Sequence, residues 1–550
     1  MSGFRVSGAG LSASGARMVS LALLFVLLSG LGSELALGGE RLQRAGCSCG
    51  FAWVRSVPRI LRTRRNMWLI KQKVLESREQ RAQKYLLERW KSLAAMGSGD
   101  RLEPSEEFFQ QPLDHFNRQN NATYKQRYWV NAELWEPGVG PVFLFIGGEG
   151  SLSAYSVLAG EHVDLAHKYR ALLVSVEHRF YGASINPDGL TEKSLRFLSS
   201  QQALADLATF HAFISQRYNL TRRNTWICFG GSYPGSLSAW FRLKFPHLVY
   251  AAVASSAPVR AQLDFTTYNE VVSQSLSNPV VGGSPKCRDA VTQAFSQLDR
   301  ALARGEAARL ESDFRSCQRL GGAGDYYELA GNLADIVMGT VQYNREQPGY
   351  DIGNLCQVMT NSALSSAYQR LVVLNQGYLK QMSKNCTDNS HQNALELLRS
   401  TVVKPFGVGE RQWYYQTCAE FGYYQTCKDE SCPLSRWLTL PSQVDICAQV
   451  FGISAGSVQG AVAFTNEYYG ADEPKSSRII FVNGDIDPWH ALSVLKNQSR
   501  SELAVLINGT AHCANMNPPE KDDPPSLQQA RKRIDDQIGV WLARSRSNPW

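Results

Sequence analysis

The chain has 550 residues, of which 44% are hydrophobic and 19% are charged, and it carries a formal net charge of +8. This composition is typical of a globular protein and excludes a disordered or low-complexity chain. Because the basic residues crowd before residue 95, as at Arg64, Arg65 and Lys71, the excess charge does not predict a nucleic-acid-binding body.

The N-terminal region is predicted to be a leader. Arg17 precedes an apolar run over residues 19–28 that is too short to span a bilayer comfortably, and Ala36-Leu37-Gly38 offers a cleavage site. Residues 1–38 are therefore predicted to be a secretory signal peptide, and no later segment has the pattern of a membrane span. Residues 39–104, which are basic and helical in pattern, are predicted to be a propeptide or spacer.

Cysteines and glycosylation sequons agree with a secreted chain. Eight of the twelve cysteines fall between residues 287 and 447 without a paired C-x-x-C pattern, which favours disulfides over a zinc site and leaves their connectivity open. The five sequons are predicted glycosylation sites; they start at Asn121, Asn219, Asn385, Asn497 and Asn508.

Apolar strand patterns alternate with helical patterns from about residue 105. Strands are predicted at residues 126–130, 141–146, 172–176, 226–229, 249–255, 478–483 and 503–507, and helices at 200–218 and 526–544. Continuous apolar strands of this kind suit a parallel sheet that is buried on both faces. We predict an α/β-hydrolase domain from residues 105–259 and 456–550, interrupted by a helical, disulfide-rich cap at 260–455.

Ser232 follows the strand at 226–229 in the run Gly230-Gly231-Ser232-Tyr233-Pro234-Gly235, and a helical pattern comes next. A strand, a tight glycine turn, a serine and a helix form a nucleophile elbow, although Pro234 departs from the G-x-S-x-G form. Proline is tolerated in the first turn of a helix. Ser232 is therefore the predicted nucleophile, against the alternative of an incidental serine in a turn.

The acid and the base are expected later in the chain, after further strands. Asp487 follows the strand at 478–483, and His512 follows the strand at 503–507. We predict that Asp487 orients His512 and that His512 moves the proton of Ser232. Three alternatives stay open: Asp485 could be the acid, and His490 and His178 also lie at strand ends, although His178 precedes the serine.

We predict that backbone amides form the oxyanion hole. In this fold one amide comes from the residue after the nucleophile, here Tyr233, and another from a loop after an early strand. The run Gly147-Gly148-Glu149-Gly150 occupies that place, so the amides of Gly148 and Glu149 are candidates, against an ordinary strand-ending turn. No metal or organic cofactor is expected for this chemistry. Cys513, next to His512, is expected to be disulfide-bonded.

Several motifs together resemble one family. They are the run at residues 147–150, Glu177-His178-Arg179-Phe180-Tyr181-Gly182, the elbow, and Asn483-Gly484-Asp485-Ile486-Asp487-Pro488-Trp489. Over residues 106–545 the chain resembles the serine peptidases that include lysosomal Pro-Xaa carboxypeptidase, dipeptidyl peptidase II and thymus-specific serine protease. Runs at 413–422 and 464–470 point to the thymic member. The resemblance implies the triad Ser232, Asp487 and His512, with the acid in the Asp-Pro-Trp element.

The resemblance also implies a function. It implies a serine exopeptidase of the dipeptidyl peptidase or carboxypeptidase type that cleaves peptides near proline in endosomes, lysosomes or outside the cell. An orthologue of the thymic member would process peptides for antigen presentation. A secreted esterase and a non-catalytic binding protein are the alternatives, and the oligomeric state is left open, a homodimer included. The aromatic run at 413–424 is expected to be cap core rather than a pocket for proline, and Glu149, Glu177, Arg179 and Glu420 are candidate readers of a peptide terminus.

Overall fold

The computed structural model describes residues 65–94, 104–404 and 408–547. The strands are β1 (Glu107–Pro112), β2 (Thr123–Asn131), β3 (Val142–Ile146), β4 (Leu172–Val176), β5 (Trp226–Gly231), β6 (Ala251–Ser255), β7 (Gln262–Asp264), β8 (Gly422–Tyr424), β9 (Ile479–Gly484) and β10 (Glu502–Ile507). The helices are α1 (Asn66–Ala94), α2 (Glu161–Tyr169), α3 (Glu192–Leu195), α4 (Ser200–Arg217), α5 (Tyr233–Lys244), α6 (Thr266–Ser277), α7 (Pro285–Ala303), α8 (Ala307–Asp313), α9 (Ala323–Gln342), α10 (Ile352–Met359), α11 (Ala367–Gln381), α12 (His391–Arg399), α13 (Glu410–Gln416), α14 (Leu440–Phe451), α15 (Ala455–Tyr469) and α16 (Pro525–Ser547).

Eight strands form one sheet in the order β1-β2-β4-β3-β5-β6-β9-β10. β2 runs antiparallel to β1 and β4, and all pairs from β4 to β10 are parallel. Alternate residues of the parallel strands point to opposite faces of the sheet and belong to different hydrophobic clusters. On β3, for example, Leu144 shares a cluster with α4 and α5, and Phe143 shares one with α2 and α16. The sheet is thus buried on both faces, which is why its strands read as continuous apolar runs, and the predicted α/β-hydrolase fold is confirmed.

Helices α6 to α15 lie between β6 and β9 in the chain, and α6 to α14 fall within the predicted cap. Four disulfides lie in this part of the chain, and the first of them joins α7 to α10: Cys287–Cys356, Cys317–Cys386, Cys418–Cys447 and Cys427–Cys432. The predicted disulfide-rich helical insertion is confirmed, and the short parallel pair β7–β8 within it was not predicted. The domain boundaries chosen at residues 105, 260 and 456 stay predictions.

The disulfides are expected to stabilise the cap unequally. Cys287–Cys356 joins residues 69 apart, whereas Cys427–Cys432 joins residues 5 apart. Loop-closure entropy then predicts that replacing both cysteines by alanine costs about 4 kcal/mol of unfolding free energy for the first pair and about 2 kcal/mol for the second. Urea unfolding of the two double variants without reductant measures this difference. Equal losses would contradict the entropic explanation.

The N-terminal predictions are only partly within the described residues. The predicted signal peptide, residues 1–38, lies outside them, and of residues 39–104 the structure describes helix α1 and its immediate start. No single helix of the described ranges is long and apolar enough to cross a membrane; α14 and α15 reach that length only as a pair, bent by 100°. All five sequon asparagines are exposed, so the structure leaves each predicted glycosylation site accessible.

Candidate active site

Ser232 lies in the turn between β5 and α5 with φ 65° and ψ −135°. A positive φ is rare for a residue with a side chain, and such strain concentrates at functional sites. The Ser232 amide donates to the carbonyl of Ser255 on β6, which holds the turn against the sheet at 2.9 Å. The side chain is half-buried and does not cap the helix, so its hydroxyl remains accessible. This geometry is that of a nucleophile elbow.

The residues around Ser232 explain the departure from the usual elbow pattern. A Cβ on Gly230 would lie 2.1 Å from the Pro234 carbonyl oxygen, so this position requires glycine. A Cβ on Gly148 would lie 2.2 Å from Cγ of Pro234, which places the loop of residues 147–150 directly against the elbow. Pro234 stands in the first turn of α5, where a missing N–H costs no helical hydrogen bond.

Asp487 and His512 meet at the carboxyl ends of β9 and β10. His512 Nδ1 lies 2.9 Å from Asp487 Oδ2, and the two side chains are buried. Asp487 Oδ1 accepts from the Trp489 amide at 3.0 Å, so the carboxylate is held at both oxygens. Because a carboxylate can only accept, Nδ1 carries the imidazole proton and Nε2 is the atom that could take a proton. Within the described part, no hydrogen bond joins Ser232 to His512.

The three alternative groups have other surroundings. Asp485 Oδ1 accepts from the Gly509 amide at 2.6 Å, and the ring nitrogen Nδ1 of His490 has no partner among the described residues. His178 donates from Nδ1 to the Arg179 carbonyl and accepts at Nε2 from the Tyr233 hydroxyl at 3.0 Å. Burial lowers the pKa of His178 to about 4, so its ring is neutral and positions Tyr233. The His490 amide donates to the Asp487 carbonyl at 3.0 Å, but among the described residues none of the three side chains hydrogen-bonds to the side chain of Asp487 or His512.

The predicted oxyanion donors border the same space. Tyr233 is the first residue of α5, where the amide has no partner within the helix. Gly148 lies against Pro234, one residue further along that helix, and Glu149 lines the cavity that contains Ser232. Tyr233, Gly148 and Glu149 thus lie close to Ser232, in the region where acyl transfer needs oxyanion donors. Their role as the oxyanion hole stays a prediction.

Cys513 is a free thiol, so the expectation that it forms a disulfide was wrong. Its amide donates to the Ser256 hydroxyl at 2.9 Å. Its sulfur lies close to the elbow, because a Cβ built on Gly231 would be only 2.9 Å from it. Burial alone would lower the pKa of His512, but the Asp487 carboxylate and the Cys513 sulfur outweigh it and raise this pKa above its usual range. The sulfur is thus part of the surroundings of the proposed base.

Replacing Cys513 by alanine is expected to shift the acid limb of the pH–activity profile to lower pH. Activity requires neutral His512, so it falls as pH drops through the pKa of that ring, and removing the sulfur removes an interaction that raises this pKa. The profile of kcat/KM against pH measures the shift. Cys228→Ala is the matched control, because Cys228 is also a buried free thiol but bonds only to backbone carbonyls. A limb that moves to higher pH would contradict the prediction.

A cavity of about 150 Å³ opens beside Ser232. Its aromatic wall consists of Trp413, Tyr423 and Trp489, with Tyr423 stacked on Trp413 and edge-on to Trp489 at centroid distances of 6.4 and 5.3 Å. The expectation that residues 413–424 are cap core is borne out for Phe421 and Tyr423, which belong to the main core cluster, and Trp413 packs against it. Trp413 and Tyr423 also line the cavity, so the run contributes to a pocket as well. Such a wall can hold an apolar ring next to Ser232.

Of the four candidate readers of a peptide terminus, only Glu149 lines the cavity. Arg179 is fully buried against Asp206, and Glu420 accepts from the amide and hydroxyl of Ser200. Glu177 accepts from Arg127 at 2.6 Å and from Ser184. These three residues hold the fold together, and their role as terminus readers is wrong.

Gln342, at the end of α9, is a site residue that sequence reasoning missed. Its carbonyl accepts from the His512 amide at 3.1 Å, and its Oε1 accepts from Trp489 Nε1 at 3.0 Å and from the Tyr268 hydroxyl at 2.6 Å. The cap thereby positions both the proposed base and the aromatic wall. A glutamine at the end of a helix gives no signal for this role in the sequence. Among the described residues, no group of three or more His, Cys, Asp or Glu is placed to hold a metal ion.

Comparison with known proteins agrees with this geometry. The family model "Serine carboxypeptidase S28" matches residues 111–534. The chain is 46% identical to thymus-specific serine protease of Homo sapiens over 455 residues, which is 82% of this chain and 88% of that protein. It is 27% identical to lysosomal Pro-X carboxypeptidase of Bos taurus over 461 residues, or 80% and 89% of the two chains. Since the family model covers well over half of its length, the chain belongs to the S28 serine peptidases and is a hydrolase.

Proposed function

We propose that the chain is a serine exopeptidase that cleaves peptide bonds next to proline through an acyl-enzyme. The observation that carries the proposal is the strained Ser232 in a cavity with an aromatic wall, together with the buried Asp487–His512 pair, whose neighbour Cys513 lies against Gly231 of the elbow. Ser232 Oγ attacks the peptide carbonyl, and His512 Nε2 takes its proton. The carbon–nitrogen bond then breaks as His512 returns that proton to the leaving amine.

In the second half of the reaction, water goes through the same steps in place of Ser232. It attacks the acyl-enzyme ester, gives a proton to His512 and releases the carboxylic acid, and Ser232 regains its proton. Asp487 keeps the imidazole in one tautomer and stabilises its protonated form. The amides of Tyr233, Gly148 and Glu149 donate to the oxyanion of each tetrahedral intermediate. Each step uses groups of this chain, the peptide and water.

The proline preference rests on the aromatic wall. A pyrrolidine ring offers a compact apolar face, and Trp413, Tyr423 and Trp489 present apolar surface beside Ser232. The name of the lysosomal Pro-X carboxypeptidase relative refers to the same residue type. The disulfides favour an oxidising compartment, and with that relative they support a place in the secretory pathway, in endosomes, in lysosomes or outside the cell. Peptide processing for antigen presentation is the corresponding physiological role, supported by likeness to the thymic relative.

A digest of a free-ended peptide library at about pH 5 and about pH 7, read by mass spectrometry, tests the proposal. We expect short products released from one end of peptides that contain proline, in wild type and not in Ser232→Ala, and more of them at the higher pH because His512 must be neutral to act as the base. Dipeptides from N-termini would identify a dipeptidyl peptidase, and single residues from C-termini a carboxypeptidase. Hydrolysis of simple esters without any peptide cleavage would favour an esterase, and folded protein without serine-dependent turnover would favour a binding protein.

A further inference from the structure

Helix α1 packs along helix α9 of the cap. Asn66 donates two hydrogen bonds to Asn332, from its amide to Oδ1 at 3.0 Å and from its Nδ2 to the carbonyl at 2.8 Å, and the Met67 amide donates to the Asp335 carboxylate at 3.1 Å. Ile70, one turn further, has 0% of its surface exposed. The contact thus combines satisfied polar groups with apolar burial, as in a protein interior.

The face of α9 is shaped for this helix. A Cβ on Gly339 would lie 2.6 Å from Cδ1 of Ile70, so a larger residue there would force the Ile70 side chain of α1 to shift. Ile70 is fully buried, so any such shift takes place inside the packed contact between α1 and α9. Gly377, on α11, is different: a Cβ there would meet nothing within 4 Å. A Cβ on Gly331, also on α9, would lie 2.2 Å from Nη2 of Arg65, the residue before α1, so α9 presents glycine at two points of this contact.

The same helix reaches into the catalytic cavity. Trp68 and Lys71 of α1 line it together with Ser232, as does Arg65, which directly precedes the helix. Lys71 Nζ lies 2.9 Å from Oε1 of Glu149, in the loop that borders the elbow. Further along α1, Arg78 donates to the His512 carbonyl at 3.1 Å and pairs with Glu346 at 2.8 Å. Helix α1 is therefore a wall of the site, although it precedes residues 111–534, which the family model covers.

The size of the cavity limits what can enter while α1 is in place. A volume of about 150 Å³ equals that of an engineered cavity that takes up one benzene molecule, so it has room for one ring-sized side chain and not for a polypeptide running through. We propose that α1 is a specificity-determining wall, which closes one side of the cavity so that only the end of a peptide reaches Ser232. This inference rests on the proposed function and gives the reason why the activity is that of an exopeptidase.

The test detaches α1 within the full chain. Ile70→Asp puts a carboxylate into the buried contact, and Lys73→Asp is the matched control, since Lys73 lies on the same helix with 46% of its side chain exposed. Each protein receives a linear free-ended peptide with one proline and a cyclic peptide of the same sequence. We expect wild type and Lys73→Asp to cleave only the linear peptide, and Ile70→Asp to cleave the cyclic one about tenfold faster than wild type or more.

A second pair of variants covers the case in which Ile70→Asp does not fold. Gly339→Ala pushes on α1 from the side of α9, and Gly377→Ala makes the same change in a cap helix with open space around it. Limited proteolysis near Trp68 reports whether α1 has detached. Gly339→Ala alone should gain cleavage of the cyclic peptide.

Other outcomes overturn the proposal. If wild type cleaves the cyclic peptide as fast as the linear one, α1 does not close the cavity to internal peptide bonds. A variant with α1 detached and unchanged products shows that α1 does not set specificity. If wild type is inert and only Ile70→Asp is active, α1 is a removable plug, as expected of a propeptide. Failure of a fluorophosphonate to label Ser232 in every folded protein would instead reject the proposed function itself.

Discussion

Replacing Ser232 by alanine is expected to lower kcat for peptide hydrolysis by about 10⁴- to 10⁶-fold, because the acyl-enzyme can no longer form. Binding and the backbone amides remain, so KM should change little and a small residual activity should persist. Steady-state kinetics on a short proline-containing peptide measure the loss. Mass spectrometry after fluorophosphonate treatment should show one adduct on wild type and none on the variant.

Ser236→Ala is the matched control for this prediction. Ser236 lies on the same helix one turn later, it is buried, and its hydroxyl has no hydrogen-bond partner among the described residues. The same loss of one oxygen should therefore change kcat by less than about twofold. If Ser232→Ala keeps activity within about tenfold of wild type, Ser232 is not the nucleophile.

Asp487→Asn is expected to lower kcat by about 10⁴-fold while leaving the fold intact, because asparagine has the shape of aspartate. Asparagine can donate to His512 Nδ1, which would leave the proton on Nε2 and remove the base that Ser232 needs. It also removes the charge that stabilises the protonated ring. Kinetics at several pH values, with thermal unfolding as the measure of folding, check the prediction.

Asp485→Asn decides between the two candidate acids. Asp485 is two residues closer to β9 and accepts from the Gly509 amide, a hydrogen bond that the asparagine oxygen can replace. We expect its kcat to stay within about threefold of wild type. A loss with Asp485→Asn that equals or exceeds that of Asp487→Asn would transfer the role of the acid to Asp485.

The hydrolase sheet could be predicted because its strands obey a local rule. A strand covered by helices on both faces must be apolar at every position, as β3 is, and such runs stand out from the amphipathic helices between them. The candidate triad could also be predicted from the sequence, because in this fold the catalytic residues follow particular strands in a set order along the chain. Ser232, Asp487 and His512 each follow a strand, so their order could be read before their distances were known.

Other features depended on contacts between distant parts of the chain. The free thiol of Cys513 follows from its position under the elbow, and pairing of cysteines has no local signature. Trp413 and Tyr423 are aromatic in either role, and only the packing of the cap decides which rings face the cavity. Gln342 looks like any polar residue at a helix end, yet its contacts join the cap to His512 and Trp489.

The sequence by itself determined the α/β-hydrolase sheet, the helical cap with its disulfides and the strand ends that carry the candidate triad. It could do so because burial and turn geometry impose patterns within a few residues. Only the tertiary structure decided how large the cavity is and what closes it. Lys71 and Glu149 are 78 residues apart, and their contact exists because α1 packs on α9, which no local pattern records. The wall formed by α1 therefore arises from packing between distant segments, whereas the candidate catalytic residues can be recognised from local motifs.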